Sequence, residues 1–333
     1  MPEPRFLVLR LGSLGDIVHT FPAVAGLRET YPSAEIVWLT HPRWELLVRS
    51  SGLVSAIWPT DPRQTPSLRK AVRDIRATRW DAAIDYQGLW KSAGLAFFGG
   101  IKKRIGFSSA TIREFGVPIL YTDRVHCVTT HIADQNGELS SRAGARNGVA
   151  PFSLTIPEEA CRIVHDYLQA EKLERYIVLS PGGGWRSKCW PAERFGQLCQ
   201  QIRDRLNLRC VVNYGPGEDD LASAVREASG VAEPLLYNGA LGPLMALLRN
   251  AACIVGGDTG PLHLAIALGT PAVALFGPTD PARNGPYRTS DIVLRAPDAV
   301  RTHSRVNETH PSMLRIQVAE VFDAVLRRLG VAA

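Results

Sequence analysis

The chain has 333 residues, 45% of them hydrophobic and 21% charged, a composition typical of about two globular domains with their own cores. Its six cysteines form no CxxC pair and no metal-ligand spacing with the eight histidines, which argues against disulfide and zinc scaffolds and predicts reduced thiols in a cytoplasmic protein. A net charge of +6, no apolar run near the ~18 residues of a membrane span and no recognisable signal sequence predict a soluble or at most peripheral protein.

In the first half of the chain, apolar runs alternate with helical patterns. Strands are predicted at 6–11, 35–39, 54–58 and 82–85. Helices are predicted at 43–51, 67–78 and about 131–143, and another is either kinked at Pro22 or begins near Thr20. This alternation predicts a doubly wound parallel sheet in a first domain, 1–157, whose last residues form a linker.

The second half repeats the scheme of strand, glycine turn and helix. Strands are predicted at 176–180, 209–213, 253–255 and 272–276. Helices are predicted at 158–169, 192–206, 219–228, 243–250, 261–268 and 313–329. We therefore expect a second domain, 158–333, and an α/β protein of two Rossmann-like, doubly wound domains facing each other across a cleft. The last helix is a candidate to pack back on the first domain.

The stretch 253–281 has the strongest features of a ligand-binding turn. Glycines 256 and 257 are expected to break its first strand, Thr259 or Gly260 to cap the next helix, and Pro261 to lie in that helix's first turn. Leu262, Ala265 and Ile266 are the residues that this helix is expected to bury. Such a turn lies at the carboxyl end of a parallel strand, where helix N–H groups suit a phosphate or pyrophosphate. An ordinary turn with a capping Asp-Thr pair is the alternative.

An NAD enzyme, a metal site and nucleic-acid binding all lack support in the sequence. Gly12-Ser-Leu-Gly15 is not GxGxxG, and the second strand ends in Leu39-Thr40 rather than in a ribose-binding acid, so an NAD enzyme is not expected. No carboxylates are arranged as Asp-x-Asp, so no metal is expected and phosphate would fall to Lys188, backbone N–H groups and helix termini. Nucleic-acid binding is not expected either, because zinc-finger spacing, an RNP-like motif and a basic tail are all missing.

Several motifs occur in a fixed order: Ser13-Leu-Gly15-Asp16-Ile-Val-His-Thr20, Asp85-Tyr-Gln87-Gly88-Leu-Trp-Lys91-Ser92, Lys188-Cys-Trp-Pro191 and Gly257-Asp258-Thr259-Gly260-Pro-Leu-His263, closed by Phe276-Gly-Pro-Thr-Asp-Pro281. Together they resemble the ADP-heptose:lipopolysaccharide heptosyltransferases, glycosyltransferase family 9. The Asp85-Tyr-Gln87-Gly88 segment is closer to the heptosyltransferase I branch, which adds the first heptose to the Kdo of lipid A. The resemblance implies a GT-B fold, an N-terminal acceptor domain, a C-terminal nucleotide-sugar domain and metal-independent inversion at the anomeric carbon.

The resemblance also implies roles for individual residues. Asp16 would be the general base, and Lys188 would neutralise the departing pyrophosphate. The amides of four residues would assist Lys188: Gly183, Gly184, Thr259 and Gly260. Glu218 would hold the ribose, and Asp258 and His263 the heptose. Four residues would meet the acceptor: Ser13, Gln87, Lys91 and Arg113. The simpler readings are helix-capping acids at 16 and 218, a solvated Lys188, a capping His263 and a plain surface Arg113.

The implied reaction moves L-glycero-D-manno-heptose from ADP-heptose to the Kdo or inner-core sugar of a lipid A precursor, without a cofactor. The partners would be the nucleotide sugar, an anionic lipid-linked saccharide and, weakly, the cytoplasmic face of the inner membrane. Two basic clusters would attract the acceptor or the membrane: Arg69, Lys70, Arg73 and Arg76, and Lys102-Lys103-Arg104. A GT-B transferase with another nucleotide sugar or acceptor, and a non-catalytic sugar-nucleotide-binding module, are the alternatives. Residues 182–184 are glycines where relatives often carry hydroxyl side chains, so phosphate contacts there would be main-chain.

Overall fold

A computed structural model describes residues 3–112, 114–287, 289–302 and 308–331. The chain divides into two compact units, Met1–Thr155 and Ile156–Ala333. The division lies within a few residues of the predicted boundary at 157. No helix in the described ranges is long and apolar enough to cross a membrane.

The first unit is a six-stranded parallel sheet with helices around it. Its strands are β1 (Arg5–Leu9), β2 (Glu35–Thr40), β3 (Ala56–Pro59), β4 (Ala82–Asp85), β5 (Arg104–Phe107) and β6 (Asp123–Val125). Its helices are α1 (Leu14–Val18), α2 (Phe21–Thr30), α3 (Glu45–Ser50), α4 (Thr65–Arg76), α5 (Trp90–Phe98) and α6 (Ile132–Ala143). The strand order is β3-β2-β1-β4-β5-β6.

The second unit repeats this architecture. Its strands are β7 (Tyr176–Ser180), β8 (Arg209–Asn213), β9 (Leu235–Tyr237), β10 (Cys253–Gly257), β11 (Ala272–Phe276) and β12 (Ile292–Arg295). Its helices are α7 (Glu158–Ala170), α8 (Ala192–Leu206), α9 (Asp219–Ala228), α10 (Leu241–Asn250), α11 (Gly260–Ala267), α12 (Pro281–Asn284), α13 (Pro311–Arg315) and α14 (Val318–Leu329). The strand order is β12-β11-β10-β7-β8-β9, all pairs parallel.

In each sheet the order reverses next to the unit's first strand. β1 lies between β2 and β4, and β7 lies between β8 and β10. Both central strands are apolar runs whose inner residues are buried on both faces, which explains why they were recognisable as continuous hydrophobic stretches. At such a reversal, the connections after the two adjacent central strands run to opposite sides of the sheet. A crevice therefore opens at the carboxyl ends of these two strands. The two crevices are therefore lined by residues after β1 and β4, and after β7 and β10.

The predicted elements are mostly confirmed, and the differences have local causes. β10 runs through both Gly256 and Gly257, so these glycines do not break the strand. Near Pro22 the chain forms two helices, α1 and α2, with Pro22 in the first turn of α2. β5, β6, β9 and β12 were missed. β6, β9 and β12 are short, largely half-buried strands at the edges of their sheets, and β5 follows directly on Lys102 and Lys103, so none of them forms a continuous apolar run.

The C-terminal segment is two helices, α13 and α14, and not one. Ile316 lies between them and is buried, whereas Ala319, predicted for the buried face, is exposed. The buried face of α14 packs on α8 and on the strands β10, β11 and β12 of its own unit. The packing of α14 on the first domain stays a prediction. Any such contact would have to use the residues of α14 that do not face its own unit.

We expect Gly196→Ala to lower the free energy of unfolding by roughly 1–3 kcal/mol in urea titrations. Gly196 lets α8 approach α9, because a Cβ there would lie 2.5 Å from the Ala228 Cβ and 2.6 Å from its carbonyl carbon. Gly94→Ala is the matched control, since a Cβ at this helical glycine meets only Phe98 at 3.8 Å. The control should gain up to about 1 kcal/mol from helix propensity. Equal stability of Gly196→Ala and the wild type would contradict close α8–α9 packing.

Candidate active site

The crevice of the second unit is built by the ends of β7 and β10. Parallel pairing aligns Leu179 with Val255 and Ser180 with Gly256, so the loops that follow leave the sheet at the same edge. Gly256 allows this approach, because a Cβ there would lie 3.1 Å from the Ser180 Cβ. The loop after β7 ends in a short 3-10 helix, Arg186–Lys188, and the loop after β10 leads into α11.

Three predicted residues form one buried cluster in this crevice. The Lys188 ammonium donates to the Asp258 carbonyl oxygen and to Asp258 Oδ2, both at 2.9 Å. Asp258 Oδ1 lies 2.9 Å from His263 Nε2. Asp258 and His263 are only 6% and 5% exposed. Lys188 Nζ also lies 4.7 Å from the centre of the Trp185 ring, a cation–π contact. Lys188 is therefore a positioned cation, and the reading of it as a solvated surface residue is wrong.

The charge on Asp258 is fixed by its partners. Burial by itself would raise the pKa of this carboxyl, but the hydrogen bond and charge of His263, followed by those of Lys188, outweigh it and hold the pKa well below 3.8. Asp258 is therefore ionised at neutral pH and both of its oxygens are engaged. Its primary effect is to orient Lys188 and His263.

The start of α11 adds main-chain donors beside this cluster. Thr259 is the N-cap in extended conformation and makes no side-chain capping bond, so the Asp-Thr pair is not an ordinary cap. Thr259 Oγ1 is buried and has no hydrogen-bond partner in the described part of the chain. Gly260 opens the helix and Pro261 lies in its first turn, as predicted. Of the residues expected to be buried, Leu262 and Ala265 are, whereas Ile266 is half-buried. A helix start of this kind favours an anion.

Glu218 joins two loops instead of capping α9. Its Oε1 accepts from the Gly183 N–H at 3.1 Å, and its Oε2 accepts from the Gly215 N–H at 2.7 Å. Gly182 leaves room for this carboxylate, because a Cβ there would lie 2.2 Å from Glu218 Oε2. The Gly183 amide that was predicted to serve the diphosphate is thus already used by Glu218. Gly184 is exposed, and a Cβ there would meet no atom of the described chain within 4 Å.

The crevice of the first unit contains a second ion pair. Asp16 Oδ1 lies 2.8 Å from Arg10 Nη2, and Oδ2 accepts from the Ser13 N–H at 3.1 Å and from Ser13 Oγ at 3.0 Å. Arg10 is 5% exposed and also donates to the Tyr86 carbonyl. The Asp16 side chain remains 44% exposed. Asp16 and Ser13 do form a capping box on α1, and Asp16 also binds Arg10.

Arg10 sets the charge state of Asp16. Burial would raise the pKa of this carboxyl, but the Arg10 guanidinium and the hydrogen bonds from Ser13 lower it below 3.8. Asp16 is therefore an anion at neutral pH with one exposed edge. Arg10 was not predicted as a site residue, although a charged residue inside the otherwise apolar run 6–11 was a signal for it.

The other predicted acceptor residues have different surroundings. Gln87 Oε1 accepts from the Leu11 and Gly12 N–H groups at 2.8 and 3.3 Å, so this oxygen holds the turn after β1 and is not available to a substrate. Lys91 is exposed and its ammonium donates to the Pro62 carbonyl at 3.0 Å. Arg113 lies outside the described residues. In the described ranges, no group of three or more His, Cys, Asp or Glu residues is placed to hold a metal ion.

Asp258→Asn should lower the free energy of unfolding at pH 7 by roughly 3 kcal/mol, because it leaves Lys188 with a neutral partner in a buried position. The folded-state pKa of Asp258 lies below its unfolded value, so its charge stabilises the fold above about pH 4 and this stabilisation is lost as the pH falls further. In urea titrations, the gap between wild type and variant should narrow by about 1.4 kcal/mol per pH unit below about pH 4. Asp74→Asn, which breaks an exposed pair with Lys70, is the control and should cost under about 1 kcal/mol. A gap that stays constant down to acid pH would show that the Asp258 charge does not contribute.

Comparisons with known proteins identify the family of this chain. The model of glycosyltransferase family 9 (heptosyltransferase) matches residues 68–312. Lipopolysaccharide heptosyltransferase 1 of Escherichia coli strain K12 is 28% identical over 309 residues, covering 88% of this chain and 94% of the relative. A family 9 glycosyl transferase from Veillonella parvula superposes with a TM-score of 0.86 at 23% identity, covering 99% of this chain and 98% of that one. The E. coli heptosyltransferase WaaC with ADP superposes with a TM-score of 0.77 at 24% identity, covering 97% and 99%.

The family predicted from the motifs is thereby confirmed, as is the GT-B fold predicted with it. The family match extends from α4 to α13 and so includes residues of both sheets. The chain belongs to glycosyltransferase family 9, the heptosyltransferase family, and is a glycosyltransferase.

Proposed function

We propose that this protein moves L-glycero-D-manno-heptose from ADP-heptose to the Kdo or inner-core sugar of a lipopolysaccharide precursor at the cytoplasmic face of the inner membrane. The configuration at the anomeric carbon inverts, and the residues below replace a metal. The observation that carries the proposal is the buried Lys188–Asp258–His263 cluster beside the start of α11. Named relatives support the donor and acceptor: lipopolysaccharide heptosyltransferase 1 of E. coli, and WaaC with ADP or with ADP-2-deoxy-2-fluoro heptose.

The leaving diphosphate is served by Lys188 and the main chain. The departing β-phosphate oxygen gains negative charge as its bond to the anomeric carbon breaks, and a fixed ammonium stabilises that charge without reorganising. Asp258 and Trp185 hold this ammonium in place. The amides of Gly184, Thr259 and Gly260 are further donors in the proposal. Gly183 joins them only if Glu218 exchanges that amide for the ribose hydroxyls.

The acceptor hydroxyl loses its proton to Asp16. Its oxygen forms the new bond to the anomeric carbon as ADP leaves with the electron pair of the broken bond, and one such displacement inverts the centre. A carboxylate with a lowered pKa is a weak base towards a free alcohol. Proton transfer is therefore late, when bond formation has made the hydroxyl acidic. Arg10 keeps Asp16 ionised and aimed throughout.

The remaining contacts are assigned by position. His263 is proposed to contact the heptose hydroxyls directly. Asp258, whose oxygens bind Lys188 and His263, is proposed to act on the heptose through these two neighbours. Ser13, Lys91 and Arg113 are proposed to meet the acceptor. Gln87 acts on the acceptor indirectly, by shaping the turn that carries Ser13.

Asp16→Asn should reduce kcat by about 10²–10⁴ with little change in the KM for ADP-heptose, since the amide keeps the shape of the side chain but cannot accept the proton. The measurement is ADP release with a Kdo-containing acceptor. Asp166→Asn, on an exposed turn of α7, is the control and should match the wild type. Wild-type turnover by folded Asp16→Asn would remove the base assignment.

A thermal-shift panel of ADP, UDP, GDP and NAD should show stabilisation by ADP, which adds ~2.7 kcal/mol at 100 times its dissociation constant. Lys188→Gln should lose most of the ADP shift but keep that of adenosine, because the ammonium binds phosphate and not the base. Lys172→Gln, away from the crevice, is the matched control.

A shift with UDP or GDP and none with ADP would indicate another nucleotide-sugar transferase. Donor binding without ADP release to any acceptor would indicate a non-catalytic module.

A further inference from the structure

The first unit has an unusual run of exposed apolar side chains on one helix and the segment after it. Trp90, Phe97, Phe98, Phe115 and Ile119 are all large and exposed, and all lie within residues 90–119. We call these five residues the apolar strip. Trp90 and Phe97 are seven residues apart on α5, so they share one face of the helix. The turn Val117–Leu120 packs beside α5, which adds Ile119 to the same side.

The strip is held in place by specific contacts. Glu114 Oε2 accepts from the Trp90 N–H at 2.8 Å. Gly116 has a φ of 84°, and a Cβ there would lie 3.0 Å from a Trp90 ring carbon. Both neighbours of Phe115 are thus fixed on Trp90, and the Phe115 side chain is directed outwards, where it is 96% exposed. A phenylalanine held outwards beside four other exposed apolar side chains indicates a surface that is covered in use.

Cations border the strip. The Arg76 guanidinium donates to the Phe98 carbonyl at 2.7 Å, and the Arg104 guanidinium lies 5.3 Å from the centre of the Phe97 ring. Lys102 and Lys103 directly precede Arg104 and are exposed. Asp74 is paired with Lys70 and Arg73. Glu114 accepts from the Trp90 N–H and adds one negative charge, against the four positive charges of Arg76, Lys102, Lys103 and Arg104. The border is therefore positive.

We propose that the apolar strip and its cationic border dock on an anionic phospholipid bilayer. Aromatic rings enter the interface between headgroups and acyl chains, while lysine and arginine bind the lipid phosphates. A second copy of the chain fits less well, since a two-fold contact across the strip would bring the same cations together. This proposal rests on the proposed function in one respect: an enzyme with a lipid-linked acceptor has to work at a membrane, and docking would bring it there. Trp90 lies two residues after Gly88, so the strip begins beside the predicted acceptor turn.

The test is sedimentation of the full chain with sucrose-loaded vesicles of phosphatidylglycerol and phosphatidylethanolamine that contain no acceptor. Phe98→Ser with Phe115→Ser should weaken partitioning on the order of tenfold at all salt concentrations, because it removes buried apolar area. Lys102→Gln with Lys103→Gln should weaken it about 30-fold at low salt and little at high salt. Val231→Ser, equally exposed on the second unit, and Arg203→Gln with Arg205→Gln are the matched controls and should bind as the wild type.

Equal binding by wild type and strip variants, or no binding by the wild type, overturns the proposal. So does a wild-type dimer that the Phe variants convert to a monomer in sedimentation velocity, because the occupant is then a second copy. Thermal unfolding of each variant verifies its fold, which exposed positions should preserve. Transfer to a lipid-free acceptor sugar is measured in parallel and should be unchanged in the variant Phe98→Ser with Phe115→Ser. Vesicle binding tests the docking proposal and transfer to the lipid-free acceptor tests the proposed function, so the failure of one can be told from the failure of the other.

Discussion

The crevice of the second unit depends on one interaction, the binding of Lys188 and His263 by the buried, ionised Asp258 carboxylate. A buried carboxylate is costly unless it is paired, and removal of one partner leaves a charge in a medium of low polarity. Lys188 belongs to the loop after β7, and His263 belongs to α11 after β10. One charge therefore ties together the two loops that leave the centre of the sheet. The geometry of the cation, and with it the proposed stabilisation of a leaving diphosphate, follows from this constraint.

The first unit also has an ion pair at the carboxyl end of its central strand, but here the roles of cation and carboxylate differ. Arg10, which is almost fully buried, binds Asp16 at the equivalent place in its own sheet, after the first central strand. Here the buried member of the pair is the cation, and the carboxylate keeps an exposed edge. The difference in exposure separates the two roles: Asp258 orients its neighbours, whereas Asp16 can reach a substrate. Two parallel sheets with one strand order thus provide two crevices, each with an ion pair, for which we propose different chemical tasks.

Hydrogen bonds from main-chain amides fix the loops of both crevices, and glycine residues leave the space that these bonds need. Glu218 reaches the Gly183 and Gly215 amides because Gly182 has no side chain in its way. Gln87 likewise uses one oxygen to hold two amides of the turn after β1. In both cases a polar side chain shapes a loop that a substrate is proposed to meet. A motif residue can therefore be essential to a site without contacting the ligand.

Much of this was readable from the chain itself. Buried parallel strands such as β7 and β11 are continuous apolar runs, and helices such as α8 carry a clear periodicity, so their bounds were predicted to the residue. The order of the motifs predicted the family. The short strands β6 and β9 were beyond such reasoning, because three residues carry too little pattern.

The partners within each crevice were decided by tertiary structure. Gln87 binds a residue 76 positions away, Lys188 binds one 70 positions away, and Gly183 binds one 35 positions away. These contacts form because the strands that carry the loops are neighbours in the sheet. The local sequence does not encode which strands pair. The sequence by itself determined the longer strands, most of the longer helices and the residue types at their carboxyl ends. Only the folded sheet decided that Gln87 meets the turn after β1 and that Glu218 takes the Gly183 amide, because hydrogen bonds require distances that only the pairing of strands sets.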